Sequence, residues 1–511
     1  YGGEISNNTS GDGGGGILIY QYSKVNVYGG SISNNNSGGS GGGIYSSGYL
    51  SIKEKAVISG NTAKGNGGGI YNSFMKMSSS STGQSTVPGE CIIEDSKIIN
   101  NTAYSGGGIY NASESDSTKR ELSYVGSILS ITGSEISGNT ACADDKITRK
   151  VAGGGLYIAE NDSIDHVKVI NSKINNNTCV SNKRQTSSAE GHGGGGIYTA
   201  GNISIFNSDI CGNIVKNDYG VGAGIQLCVR GLLSIIDSRI NKNTGPGEGS
   251  KGGGIYCYGH YSIDNPARIY LKNTSVIENT VKGQGAGVYL DTVSVYADSN
   301  TAKDSLKLDG KITINNNTCG TDTKSNLLLK NRSESVKAVV TIGNDFNKNS
   351  SIGVGAEEKI TPGTARDITD TYYTANYKDC FTSDNDNYEV LADEGDGAYK
   401  VQLKSPLPKY TITISCGEHA NVVTDTTYIG KTIQNVEQGS AMETVKVVPE
   451  NGYYFPTNDY SMNGTNVNGV KITQHTDGSK KNTGTWLEIS GTPSADTNIT
   501  LADPYEARKV S

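Results

Sequence analysis

Seven tyrosines each follow a glycine-rich triplet and one aliphatic residue: Tyr45, Tyr71, Tyr110, Tyr157, Tyr198, Tyr256 and Tyr289. Leu18 and Gln226 hold the same place in two further copies. In an extended segment successive side chains point to opposite sides. With the aliphatic residue inward, the tyrosines form an outward row. Such a row can stack on sugar rings or peptide side chains, its hydroxyls supplying specificity. It can also do no more than stabilise stacked copies of a repeat, and the residues alone leave both readings open.

A second chemistry would need carboxylates. Glu114, Asp116, Glu121, Asp144, Asp145, Glu160, Asp162 and Asp165 lie in polar insertions beside the tyrosine segments. Paired carboxylates hydrolyse glycosidic bonds, and carboxylates holding calcium beside a basic residue serve polysaccharide lyases. The outward row carries Tyr where those enzymes carry Asp or Glu, and charge in a polar insertion is ordinarily solvated. His166, His192 and His260 are isolated from one another. The nine cysteines form no Cys-x-x-Cys pair, which argues against zinc and against a dense disulfide framework and for free, buried thiols. Asp384-Asn385-Asp386-Asn387 opens like a calcium loop, but Glu389 stands where that loop needs Gly. No P-loop, nucleophile elbow or His-Glu-x-x-His occurs. No catalytic residue, metal or cofactor is therefore expected.

Composition narrows the partners. The net charge of -7 argues against nucleic acid and anionic membranes. No apolar run approaches the ~20 residues that span a bilayer. Glycine is abundant, at 69 of 511 residues, while hydrophobic residues reach only 34%, so the few apolar positions must be placed in register to build a core.

The elements that would position the tyrosines come from a repeat. Tyr1-Gly2-Gly3-Glu4-Ile5-Ser6-Asn7-Asn8 returns as Tyr28-Gly29-Gly30-Ser31-Ile32-Ser33-Asn34-Asn35. An Ile/Val-x-x-Asn pair lies between successive glycine triplets, at Ile5/Asn8, Ile32/Asn35, Ile58/Asn61, Ile98/Asn101, Ile136/Asn139, Ile174/Asn177, Ile210/Asn213, Ile240/Asn243, Val276/Asn279 and Ile314/Asn317. Short alternating segments such as Leu129-Ser130-Ile131 precede it. One repeat thus holds three short strand-like pieces, each too short to bury its inner face alone but able to do so when stacked on the next copy. The spacing predicts an all-β chain: a right-handed parallel β-helix with one coil per repeat, its Asn side chains forming a ladder. The outward position before each Ile reads Lys97, Glu135, Lys173, Asp209, Arg239 over five copies, an alternation of sign that favours coil-on-coil stacking.

The Gly-Gly-Gly-Ile-Tyr segments and the Ile-Ser-Gly-Asn-Thr-Ala segments at Ile58 to Ala63 and Ile136 to Ala141 resemble the repeats of chlamydial polymorphic outer-membrane proteins and related β-helical bacterial surface proteins. The resemblance covers roughly residues 1–345 and implies a surface location and adhesion. The chlamydial proteins also carry a C-terminal membrane barrel, of which no segment is visible here.

The repeats are assigned to 1–345, terminal coils and a cap to 346–404, and a small β-sandwich-like domain to 405–511. In the last, Tyr410 to Ile414 and Thr444 to Val448 alternate as half-buried strands, and Trp486 is read as a core residue. This part resembles the small β repeats of Gram-positive surface proteins, which implies a spacer. Tyr1 falls inside a coil, so the chain reads as a piece of a longer protein. Insertions at 72–90, 111–127 and 290–305 follow the tyrosine strands, and others at 141–152 and 179–192 precede the triplets, so both would wall the tyrosine face. The expected function is an extracellular, non-catalytic adhesin or scaffold on the bacterial surface. It would bind a host or microbial glycan or protein on the β-helix face, without a direct membrane span. The alternative is a polysaccharide lyase or glycoside hydrolase using the carboxylates of the insertions.

Overall fold

The structure, a computed structural model, describes every residue except 1, 78–84, 117–122, 144–150, 164, 181–191, 230, 260–266, 292–304, 332–336, 425–426, 457–461, 477–484 and 508–511. The described residues contain no α-helix. Their contacts divide into two compact units, 1–360 with 365–404, and 361–364 with 405–511.

The first unit is a parallel β-helix. A representative coil runs through strands Ile109–Asn111, Ile128–Thr132, Glu135–Ser137 and Thr140–Cys142. Each pairs in parallel with its counterpart one coil on: Ile109 with Leu156, Ile131 with Val169, Ile136 with Ile174, Ala141 with Cys179. The coil therefore has four strands where the sequence suggests three. The fourth is the two- or three-residue piece after each ladder Asn, such as Thr102–Ala103, too brief to show an alternation of its own.

Register follows the repeat. The Ile of each Ile-x-x-Asn pair sits on the next, and Ile58, Ile98, Ile136, Ile174, Ile210 and Ile240 are all fully buried. Burial of one such side chain contributes about 1.5–3 kcal/mol, which is why a chain poor in apolar residues can still fold. The outward charges pair as the alternation requires, Lys97 with Glu135 at 3.3 Å and Arg239 with Asp209 at 3.1 Å.

The amide ladder runs unbroken from Asn8 to Asn317. At each step the backbone N–H and Nδ2 of one Asn both donate to Oδ1 of the next, as Asn101 does to Asn139 at 3.0 Å and 3.0 Å. Asn317 continues to Asn326, whose N–H and Nδ2 donate at 2.6 Å to the two carboxylate oxygens of Asp384. Strand Ser351–Ala356 lies under this terminus and joins two strand rows, pairing Ile352 with Ile314 and Val354 with Leu327. A Cβ on its Gly353 would lie 2.2 Å from Asn326 Nδ2 and 2.4 Å from Asp384 Oδ1, so a side chain there would displace the hydrogen bond between them. Strand Phe381–Ser383 stacks on it, and the antiparallel hairpin of Glu389–Gly395 and Ala398–Lys404 follows, with Val401 and Leu403 continuing the same core.

The second unit has a six-stranded antiparallel sheet and a three-stranded sheet around one core that includes Ile412, Val422, Val447, Phe455, Ile472 and Leu487. Trp486 is not in that core. In strand Thr485–Gly491 the buried positions are Thr485, Leu487 and Ile489, so period two turns Trp486 outward, where it is half-buried; Phe455 is the core aromatic.

Candidate functional site

The tyrosine face is built from the glycine triplets upward. In the copy at Gly106, the first glycine has φ of 62°. A Cβ on the second, Gly107, would lie 2.4 Å from the Thr140 carbonyl carbon and 2.5 Å from Gly154 O. Only glycine lets consecutive coils approach that closely. The chain leaves this turn with Ile109 inward and Tyr110 outward, and Tyr110 falls in register between Tyr71 and Tyr157.

The rings stack. Centroid separations are 4.9 Å for Tyr45–Tyr71, 5.2 Å for Tyr71–Tyr110, 4.3 Å for Tyr110–Tyr157 and 4.6 Å for Tyr157–Tyr198. Buried Gln226 interrupts the row, which resumes with Tyr256–Tyr289 at 5.4 Å. Each such pair is worth about 0.5–1.5 kcal/mol beyond its area, so the row also holds coils together.

The face is not exposed along its whole length, which corrects the expectation of a seven-tyrosine strip. Tyr45, Tyr71, Tyr110 and Tyr157 are half-buried, whereas Tyr198, Tyr256 and Tyr289 are 4%, 2% and 0% exposed. The cause is the wall before the triplets. Ala152, Gly193, Val221, Lys251 and Gln284 bridge one another in parallel, adding a run of backbone beside the later tyrosines. Ala152, Ala200, Val221, Cys228 and Tyr258 pack with the three buried rings in a satellite core. Burial pushes the Tyr157 hydroxyl up to about 12, and those of Tyr71 and Tyr110 also upward, so all three remain protonated hydrogen-bonding groups at neutral pH.

At the covered end lies a charged cluster that the sequence reading missed. Lys251 Nζ donates to the Tyr289 hydroxyl at 2.9 Å, and that hydroxyl donates to Glu357 Oε1 at 3.0 Å. Lys330 Nζ donates to Asp291 Oδ2 at 3.0 Å. Burial pushes the Asp291 carboxyl up, opposed by Lys330. The signal was present two residues beyond each tyrosine position, where Asp291, Lys330 and Glu357 follow one another on adjacent strands. It was obscured because the strand Leu327–Lys330 lacks the glycine triplet.

Where they are described, the carboxylates of the insertions form no cluster of three. Asp162 accepts from the Tyr124 N–H at 2.7 Å, and Asp165 pairs with Lys168 at 2.9 Å; both are exposed, while Glu114 and Glu160 are half-buried. Asp116 ends a strand but its side chain is outside the described set; Glu121, Asp144, Asp145 and His260 are outside the described residues altogether. His192 Nδ1 accepts from the Val151 N–H at 3.0 Å, and His166 Nδ1 lies 2.9 Å from Gly126 O. Asp384, first of the calcium-like residues, is engaged by Asn326. Among the described residues no three metal-ligating side chains cluster, and no helix is long and apolar enough to cross a membrane.

Residues 55–73 match the Chlamydia polymorphic membrane protein repeat. The matched repeat contains the strands Val57–Ser59, Thr62–Ala63 and Ile70–Asn72, and with them the ladder residue Asn61 and the face residue Tyr71. One residue of the ladder and one of the tyrosine face thus lie inside the matched span. No curated protein and no solved structure matches the chain.

Proposed function

We propose that this chain acts outside the bacterial cell, at its surface, as a non-catalytic adhesin that binds a glycan or protein on the tyrosine face. Residues 405–511 serve as a spacer. The observation that carries the reading is the half-open ladder Tyr45–Tyr71–Tyr110–Tyr157, four stacked rings in register that keep part of their surface in solvent. Large aromatic surface left accessible in a fixed array is the usual anchor of a binding site. The likeness of residues 55–73 to a repeat of polymorphic membrane proteins supports the location.

The test is a glycan array followed by titration of the bound glycan. Replacing Tyr110 and Tyr157 by Ala should weaken binding about tenfold or more, the circular dichroism spectrum being retained. Unchanged binding rejects the tyrosine face. Turnover of an acidic or neutral polysaccharide, with or without calcium, would replace the adhesin by an enzyme working through the insertion carboxylates.

A further inference from the structure

The second unit carries a cleft of about 330 Å³, lined by Lys446, Glu450, Tyr453, Thr485 and Trp486 among others. Its placement follows from the period-two alternation that turned Trp486 out of the core. Trp486 lies on the outer side of the six-stranded sheet, between strands Val445–Pro449 and Val470–Thr476. From the second of these His475 stacks on the indole, with centroids 4.2 Å apart and planes 15° apart. From the first, Lys446 reaches within 4.7 Å of the ring centroid. In the same cleft Tyr453 stacks on His419 at 3.9 Å and 7°, and His419 Nδ1 lies 3.1 Å from Glu450 Oε2.

Neither histidine lines the cleft, although both aromatic rings do. Each ring is thus stacked on an imidazole that stays out of the cleft while the ring itself lines it, the indole with Lys446 over it. The backing fixes the rings without filling the cleft, so little rotamer freedom remains to be lost when something binds. The polar groups are complementary as well. Lys446 offers only donors and Glu450, as a carboxylate, only acceptors. A large aromatic kept at the surface beside such groups is the informative departure from the rule that Trp is buried.

We propose that this cleft binds a pyranose ring of a glycan. A pyranose has an apolar C–H face that packs on an aromatic plate and a rim of hydroxyls that both donate and accept. Lys446 yields the indole face to the sugar and donates to a ring hydroxyl, while Glu450 accepts from another. The cleft is at the small end of ligand sites, which suits one or two sugar rings. A quaternary ammonium ligand fits worse, because the Lys446 ammonium lines the same cleft and, even when moved off the indole, repels a second cation there. This site is separate from the tyrosine face and gives residues 405–511 a role beyond spacing.

Trp486 is the only tryptophan in the chain, so its fluorescence reports on this cleft alone. The full chain is titrated with chitotetraose, cellotetraose, xylotetraose and tetragalacturonate. At least one should change the tryptophan emission saturably. Lys446→Ala and Glu450→Gln, both at exposed positions, should weaken that response about tenfold with unchanged melting temperature. The Tyr110→Ala/Tyr157→Ala variant should keep it, which separates failure of the tyrosine face from failure of this site. Absence of any emission change with all four sugars, or an unshifted midpoint in both cleft variants, overturns the proposal.

Discussion

At the residue scale the side-chain amide of the ladder Asn is the most consequential group in the repeat. Asn139 accepts two hydrogen bonds from Asn101 and donates to Ile98 O at 2.9 Å and to Asn177 Oδ1 at 2.9 Å, all in the interior. Asn139→Ala strands the buried Asn101 N–H, at about 1–3 kcal/mol, and one of the two Nδ2 hydrogens, the other staying on Ile58 O. We expect a loss of roughly 2 kcal/mol or more, and faster hydrogen exchange at the Asn101 amide. A second test concerns acid. Burial alone would raise the Asp309 carboxyl, but the Tyr270 hydroxyl, the N–H groups of Gly310 and Asp345, and Lys272 outweigh it and hold it below the usual carboxylate range. A depressed native pKa gives stability that is present above the unfolded-state value and lost as pH falls through the native one. Asp309→Asn should therefore be less stable than the natural chain near about pH 7, and the gap should close near about pH 2, measured by urea unfolding at both.

At the element scale the coil depends on glycine where strands enter from the turn. Gly107→Ala drives a methyl into backbone atoms of the neighbouring segments, which a side chain's adjustment cannot relieve. A cost of about 1–3 kcal/mol is expected. Gly11→Ala meets nothing within 4 Å and should stay within about 0.5 kcal/mol of the natural chain; thermal unfolding of the two variants checks the contrast. The exposed pairs Lys97–Glu135 and Asp209–Arg239 act differently. Pairs of this kind contribute about 0–1 kcal/mol, so their alternation penalises wrong registers more than it stabilises the right one.

At the scale of the whole molecule the described residues form two main cores beside smaller satellite clusters, one running from Ile19 to Leu403 and one within 412–501. No described apolar cluster spans both. Each unit has a core of its own, so calorimetry should resolve two transitions, and removal of residues 405–511 should abolish one and leave the other. A single transition that shifts as a whole on that deletion would show that the units fold as one.

The sequence by itself determined the β-helix, its register, the amide ladder and the outward direction of the tyrosines. All of these rest on one residue meeting its own counterpart in the next copy, so Ile98 on Ile136 or Asn101 on Asn139 is a local statement repeated. Tertiary structure alone decided which tyrosines stay accessible. Tyr45 and Tyr289 occupy the same place in the repeat, yet one keeps solvent contact and the other is covered, because the bridged run from Ala152 to Gln284 and the side chains packed with it lie along the later coils. It also decided that the ladder ends on Asp384, 58 residues beyond Asn326. The reason is common to these cases: they depend on segments whose sequence and length are not those of the repeat, and the periodicity of the repeat carries no information about where such segments pack.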